Sequence, residues 1–145
     1  MPRAITTFWK VLVAAAALTA AASFTGRAAI AADTDTGATV KMIAKEELPN
    51  LPGQRLTAVV VTYAPGARST RHHHDGSVWA YVLSGAVRSQ NSATGPVRVY
   101  RAGESFFEPP GSEHLVSENA SATEPARLLA IQIADDSARL TTTDK

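Results

Sequence analysis

The chain contains no cysteine. That excludes disulfide staples, thiolate nucleophiles, Cys-ligated zinc and iron–sulfur centres. A folded domain must then depend on its own core, helped by a metal or a second subunit. Neither sign of charge is in clear excess, with 14 basic against 13 acidic residues among 145. No basic patch carries interleaved aromatics, which argues against a nucleic-acid partner. Sustained helical periodicity is missing beyond the first thirty-odd residues. So are a nucleophilic serine constellation and a phosphate-cradling glycine loop. The longest apolar run, Val11 to Ala22, is too short to span a bilayer.

That run follows Arg3 and Lys10 and precedes Ala29-Ile30-Ala31, whose small residues suit a signal peptidase. Residues 1–31 are therefore expected to be a signal peptide cleaved near Ala31. No twin-arginine pair precedes the run, so general export to a secreted or periplasmic location is expected, with no stable membrane anchor after cleavage. Losing Arg3, Lys10 and Arg27 would leave 11 basic residues against 13 acidic, a formal charge of −2. About 114 residues would remain, enough for one compact domain.

Residues 32–50 are small, polar or interrupted by proline, and predict a flexible leader. Residues 51–135 predict the folded domain, and 136–145 a loose tail. Within the domain, strands are expected at Leu56–Tyr63, Val78–Leu83, Ala86–Gln90, Val97–Arg101, Ser105–Glu108, His114–Ser117 and Arg127–Ala134. Val78–Leu83 and Ala86–Gln90 stand close enough for a hairpin. Short strands parted by glycine turns predict an all-β antiparallel sandwich or barrel.

All four histidines fall in two places, His72-His73-His74 and His114. Residues i and i+2 of a strand share a face. His72 and His74 can thus aim two imidazoles at one point while His73 faces away, and His114 can complete the set. Imidazole is the commonest protein ligand for divalent transition metals.

The spacing Gly66-x5-His72-x-His74, closed by Gly85, resembles the first motif of the cupin superfamily. Gly103-x5-Pro109-x-Gly111-x2-His114, with Asn119 a little late, resembles the second. The resemblance spans about half of the mature chain and implies a single-domain jelly-roll (double-stranded β-helix) barrel holding a metal in its open end. Gly66 and Gly85 suit tight turns of positive φ, and Pro109 and Gly111 re-aim the chain toward His114. The family's usual glutamate, seven positions before the closing glycine, is here Val78. Three neutral histidines leave an ion its full double charge and favour an anionic, chelating ligand. Three-histidine cupins similar to acetylacetone-cleaving and thiol dioxygenases have this character.

In that resemblance Glu108 takes the place of an outer carboxylate that accepts a proton from a ligating imidazole; alternatively it binds the metal itself. Tyr81 is a candidate lining residue with its phenol near the metal. Gln90 and Gln132 could face inward, Arg71 and Arg88 could meet a substrate carboxylate, and Trp79, Phe106 and Phe107 suit the core or a subunit contact. Glu104 and Glu113 suit a turn and solvent. The favoured function is a metal-dependent, dioxygenase-like oxidoreductase acting on a small chelating anion. Fe(II) is favoured, with Mn, Ni, Cu or Zn as alternatives. The competing function is a non-catalytic small-molecule-binding or sensing module, with a structural metal in a dimerising barrel as a third. Exposed strand edges point to a homodimer.

Overall fold

The computed structural model describes residues 37–143. The expected signal peptide lies outside the described residues. Ten strands follow in order: β1 (Ala38–Glu47), β2 (Gln54–Tyr63), β3 (His72–His73), β4 (Ser77–Ser84), β5 (Ala86–Asn91), β6 (Arg98–Arg101), β7 (Ser105–Glu108), β8 (Glu113–Asn119), β9 (Ala126–Asp135) and β10 (Thr142–Thr143). No helix occurs among the described residues. The strands form two five-stranded antiparallel sheets, ordered β1-β2-β9-β4-β7 (sheet 1) and β10-β3-β8-β5-β6 (sheet 2). This is the expected single-domain, all-β jelly roll.

Strand alternation sorts the side chains of sheet 1 into rows facing the barrel interior. One row runs Val61–Leu128–Val82, and the next Val59–Ala130–Ala80–Phe106. The third runs Thr57–Gln132–Val78–Glu108. Apolar residues at one end join Tyr63, Val87 and Ala126 in the core. The polar row marks the other end, and a cavity of about 560 Å³ runs between the sheets from this row to Tyr63.

Three expectations need correction. Ala38–Glu47, within the segment expected to be a flexible leader, is the edge strand of sheet 1, ten residues long and paired with β2. Its half-buried Val40, Met42 and Ala44 alternate with exposed Thr39, Lys41 and Ile43, and that alternation at an edge outweighs polar composition. β4 and β5 do not form a hairpin, because β4 lies in sheet 1 and β5 in sheet 2. The chain crosses between sheets at Gly85, whose φ of 71° and approach to Pro125 exclude a side chain: a Cβ there would sit 2.6 Å from the Pro125 carbonyl oxygen. Finally, the expected loose tail includes β10, which pairs with β3 through Thr142–His73 and Thr143–His72.

Candidate metal centre

The three histidines come from adjoining strands of sheet 2. β3 pairs with β8 so that His72 stands opposite His114, and His74 follows β3 on the same face as His72. Ring centroids of His72 and His74 lie 4.9 Å apart, and those of His72 and His114 5.1 Å. One ring nitrogen from each of the three falls within 4.8 Å of the others, a cluster able to hold one metal ion. His73 is outside that cluster, as the alternation predicts. A bulge helps His114 reach in: the β5–β8 register shifts between Gln90 and Asn91. His114 and Ser117, three residues apart, are consequently both buried.

Backbone carbonyls set the direction of two imidazoles. His72 Nδ1 lies 2.6 Å from the Thr70 carbonyl oxygen, and His74 Nδ1 lies 2.5 Å from that of Leu140. A carbonyl only accepts, so each Nδ1 carries the proton and each Nε2 keeps its lone pair for a cation. Burial pulls the His72 imidazole down to about 4, against the opposing hydrogen bond to Thr70. It is therefore neutral near pH 7, the form that binds metal.

Glu108 approaches the three histidines from sheet 1. Its Oε2 lies 3.1 Å from His114 Nδ1 and 3.9 Å from His74 Nε2. The residue is 3 % exposed, and Oε2 has no hydrogen-bond partner. Burial opposes its ionisation, yet its contact with His114 and the pull of the three imidazoles hold its carboxyl below the usual carboxylate range. A protonated His114 Nδ1 could serve Oε2; with Nδ1 unprotonated that buried carboxylate oxygen has no donor, which is costly unless a cation faces it. On the far side of His114, Nε2 lies 2.9 Å from Ser89 Oγ, and the Phe106 ring meets the imidazole edge to face at 6.0 Å. Glu108 stands directly across from Val78 on the neighbouring strand. A carboxylate is thus present one strand away from the position where the sequence lacks one.

The cavity walls are mostly aliphatic, with Val40, Val59, Val61, Leu128 and Ala130 prominent. Gln132 lines the cavity, whereas Gln90 does not. Tyr81, expected near the metal, sits on the outer face of sheet 1 stacked on Trp79 at 5.7 Å. Val78, Ala80 and Val82 take the inward positions of β4, so Tyr81 must point out. The phenol inside is Tyr63, wholly buried, within hydrogen-bond distance of Ser69 Oγ (3.0 Å) and Ser117 Oγ (2.7 Å). Burial raises its pKa above 10.0, against the lowering effect of the serine contacts. Alternation along Leu56–Tyr63 was the available sign, since Thr57, Val59, Val61 and Tyr63 share one face. Ser89 could have been found likewise beside Val87. Nothing in the sequence points to the Leu140 carbonyl.

Arg71 and Arg88 do not face the cavity. Arg71 Nη2 pairs with Glu113 Oε2 at 2.7 Å, and Arg88 pairs with Glu118. Phe106 belongs to the core, while Trp79 and Phe107 are exposed on the outer face of sheet 1. Glu104 accepts from the Arg101 backbone N–H in the turn before β7.

Comparison with known proteins matches residues 59–132 to the Cupin domain family. A comparison with curated proteins returned no match. Among solved structures, an RmlC-like cupin from Shewanella frigidimarina is 25% identical with a TM-score of 0.55, covering 72% of this chain and 83% of its own. Bacillus subtilis oxalate decarboxylase, described with Mn(II) centres, is 26% identical with a TM-score of 0.58 over 74% of this chain; the match spans only 28% of that enzyme. A DMSP lyase from Ruegeria pomeroyi shares the fold at 20% identity and a TM-score of 0.61, covering 79% of this chain and 55% of the lyase.

Proposed function

The chain belongs to the Cupin domain family, and from that premise we propose that His72, His74, His114 and Glu108 hold a divalent transition metal that acts on a small chelating anion. The observation that carries this reading is the convergence of three imidazoles, with the buried Glu108 Oε2 set 3.1 Å from His114 Nδ1. Bonds of about 2.1 Å at tetrahedral or octahedral angles set neighbouring ligand atoms roughly 3.0–3.4 Å apart. The 3.1 Å separation of Glu108 Oε2 and His114 Nδ1 falls in that range, while the 3.9 Å to His74 Nε2 lies outside it. In this reading His114 Nε2–H donates to Ser89, Nδ1 faces the ion, and Glu108 serves as a direct ligand. Fe(II) and Mn(II) suit a set of imidazoles and one carboxylate, and the Mn(II) centres of the related oxalate decarboxylase support the second.

When bound, the ion supplies Lewis acidity and, if iron or manganese, one-electron redox chemistry. The protein's own residues supply the rest. The Thr70 and Leu140 carbonyls fix the imidazole tautomers, Phe106 holds the His114 ring, and the aliphatic walls exclude water around a bound anion. Three neutral imidazoles, one carboxylate and a divalent ion sum to a single positive charge, which draws an anionic ligand. We place the activity outside the cytosol, as the pattern of residues 1–31 suggests, and the apolar outer face around Trp79 and Phe107 supports a homodimer.

Metal analysis of the purified protein tests the assignment. His72→Ala, His114→Ala or Glu108→Gln should lower metal content severely, whereas His73→Ala should leave it near that of the wild type. Retention of metal by His114→Ala would sink the reading. Incubating iron- or manganese-loaded protein with β-dicarbonyls, phenols and hydroxy acids, while following oxygen and substrate, separates an enzyme from a binding module.

A further inference from the structure

Gln132 contributes a second unsatisfied polar group to the cavity. The residue is 6 % exposed, and its Nε2 has no hydrogen-bond partner. A buried amide donor without an acceptor is rare and costly. Its place in the fold is informative: Gln132 lies in the same inward row as Glu108, with Val78 between them. Two strand spacings put the Cα atoms of Glu108 and Gln132 roughly 10 Å apart. Both side chains line the one cavity, and the residue between them is aliphatic. A ligand lying over Val78 would have one end at Glu108 and the metal, and the other at the Gln132 amide.

A second observation bears on the charge of the cavity mouth. Among the described residues lining the cavity, Arg139 alone is a lysine or arginine. Its backbone N–H donates to Asp75 Oδ2 at 3.0 Å, which tethers the segment bearing it beside His74. Thr57, the neighbour of Gln132 in the row, is buried and also lines the cavity. The site charge of plus one, together with Arg139, is balanced by two negative charges.

We propose that Gln132 forms a distal anchor, taking the far carboxylate of a short, chelating dicarboxylate whose near end meets the metal. This rests on the metal reading above. Gln132 donates Nε2–H to a carboxylate oxygen, and Arg139 supplies the countercharge at the mouth. The preferred ligand class is a hydroxy or oxo acid with a second carboxylate a few carbons away.

Malate and 2-hydroxybutanoate share a chelating head and differ at the far carbon, carboxylate in one and methyl in the other. Calorimetric titration of Mn(II)-loaded wild type should show malate binding at least about tenfold tighter, since a hydrogen bond to a charged group is among the stronger kinds. Gln132→Leu should erase most of that preference by weakening malate alone, with 2-hydroxybutanoate within about twofold and metal content unchanged. Gln132→Glu keeps the side-chain volume and should weaken malate further by like-charge repulsion. Arg139→Gln should reduce the preference in part. A metal-loaded wild type indifferent between the two acids would overturn the distal anchor while leaving the metal centre standing. So would equal losses for both acids in the Gln132 variants. A wild type that binds no metal would sink both readings.

Discussion

Glu108 faces Val78 across two paired strands, so the carboxylate can be moved from one strand to its neighbour while the backbone stays in place. Val78→Glu alone would set two carboxylates opposite each other in a buried row. Directly opposed residues hold their Cβ atoms 4.5–5.5 Å apart. Unit charges about 5 Å apart repel by roughly 3 kcal/mol at an effective dielectric of about 20. That repulsion raises the pKa of one member of the pair, which then holds its proton to higher pH. The metal-free variant should therefore lose about 3 kcal/mol at pH 8, measured by urea unfolding. Because the raised folded-state pKa favours the protonated form, part of that loss should be recovered as pH falls toward 5. The exchange Val78→Glu with Glu108→Val removes the repulsion and keeps one carboxylate in the row. It should restore metal content that Glu108→Val alone abolishes. If the exchanged variant stays as metal-poor as Glu108→Val, Glu108 does not stand in for the absent carboxylate. If Val78→Glu costs nothing at pH 8, the two side chains do not meet.

Gly66 and Gly85 both have φ of 71°, but a Cβ at Gly66 meets nothing within 4 Å whereas one at Gly85 meets Pro125 and Ala126. Gly66→Ala should cost about 1–2 kcal/mol from the left-handed backbone alone, and Gly85→Ala at least about 1 kcal/mol more from overlap; denaturant midpoints measure both. Tyr63 has its pKa raised by burial above 10.0, so the unfolded chain releases that proton first and stability should fall as pH rises past 10. Tyr63→Phe should flatten this alkaline slope in urea titrations and lower stability at pH 8 by about 1–2 kcal/mol through the lost serine contacts. Deleting residues 137–145 removes the carbonyl that orients His74. Metal affinity, measured by competition with a chelator, should fall roughly 10- to 100-fold, with a smaller effect on folding because β10 contributes only two residue pairs.

The histidine cluster was legible because its signals are local. Period-two alternation separates His73 from His72 and His74, and the glycine and proline spacings brought His114 to the same place. Seven strands could be read from β-branched runs and turns. Other features depend on pairing across the fold, which one sequence does not display. The edge strand β1 looks polar until its half-buried face meets β2. The crossover at Gly85 looks like a hairpin because strand proximity in sequence does not say which sheet receives the second strand. Tyr81 was misplaced for want of the phase of β4: with Val78 inward, Tyr81 has to be outward. Glu108 was singled out, but its position opposite Val78 follows from the β4–β7 register, and that register is tertiary information.

The Leu140 carbonyl that orients His74, and the Thr142–Thr143 bridge to β3, come from the far end of the described chain. A ribosome or export channel releases those residues after every histidine. The complete pocket therefore forms only after Thr143 has emerged, and the surroundings at that moment decide which ions would compete for it. Two identical polypeptides folded in different surroundings would then offer the same ligands to different ions.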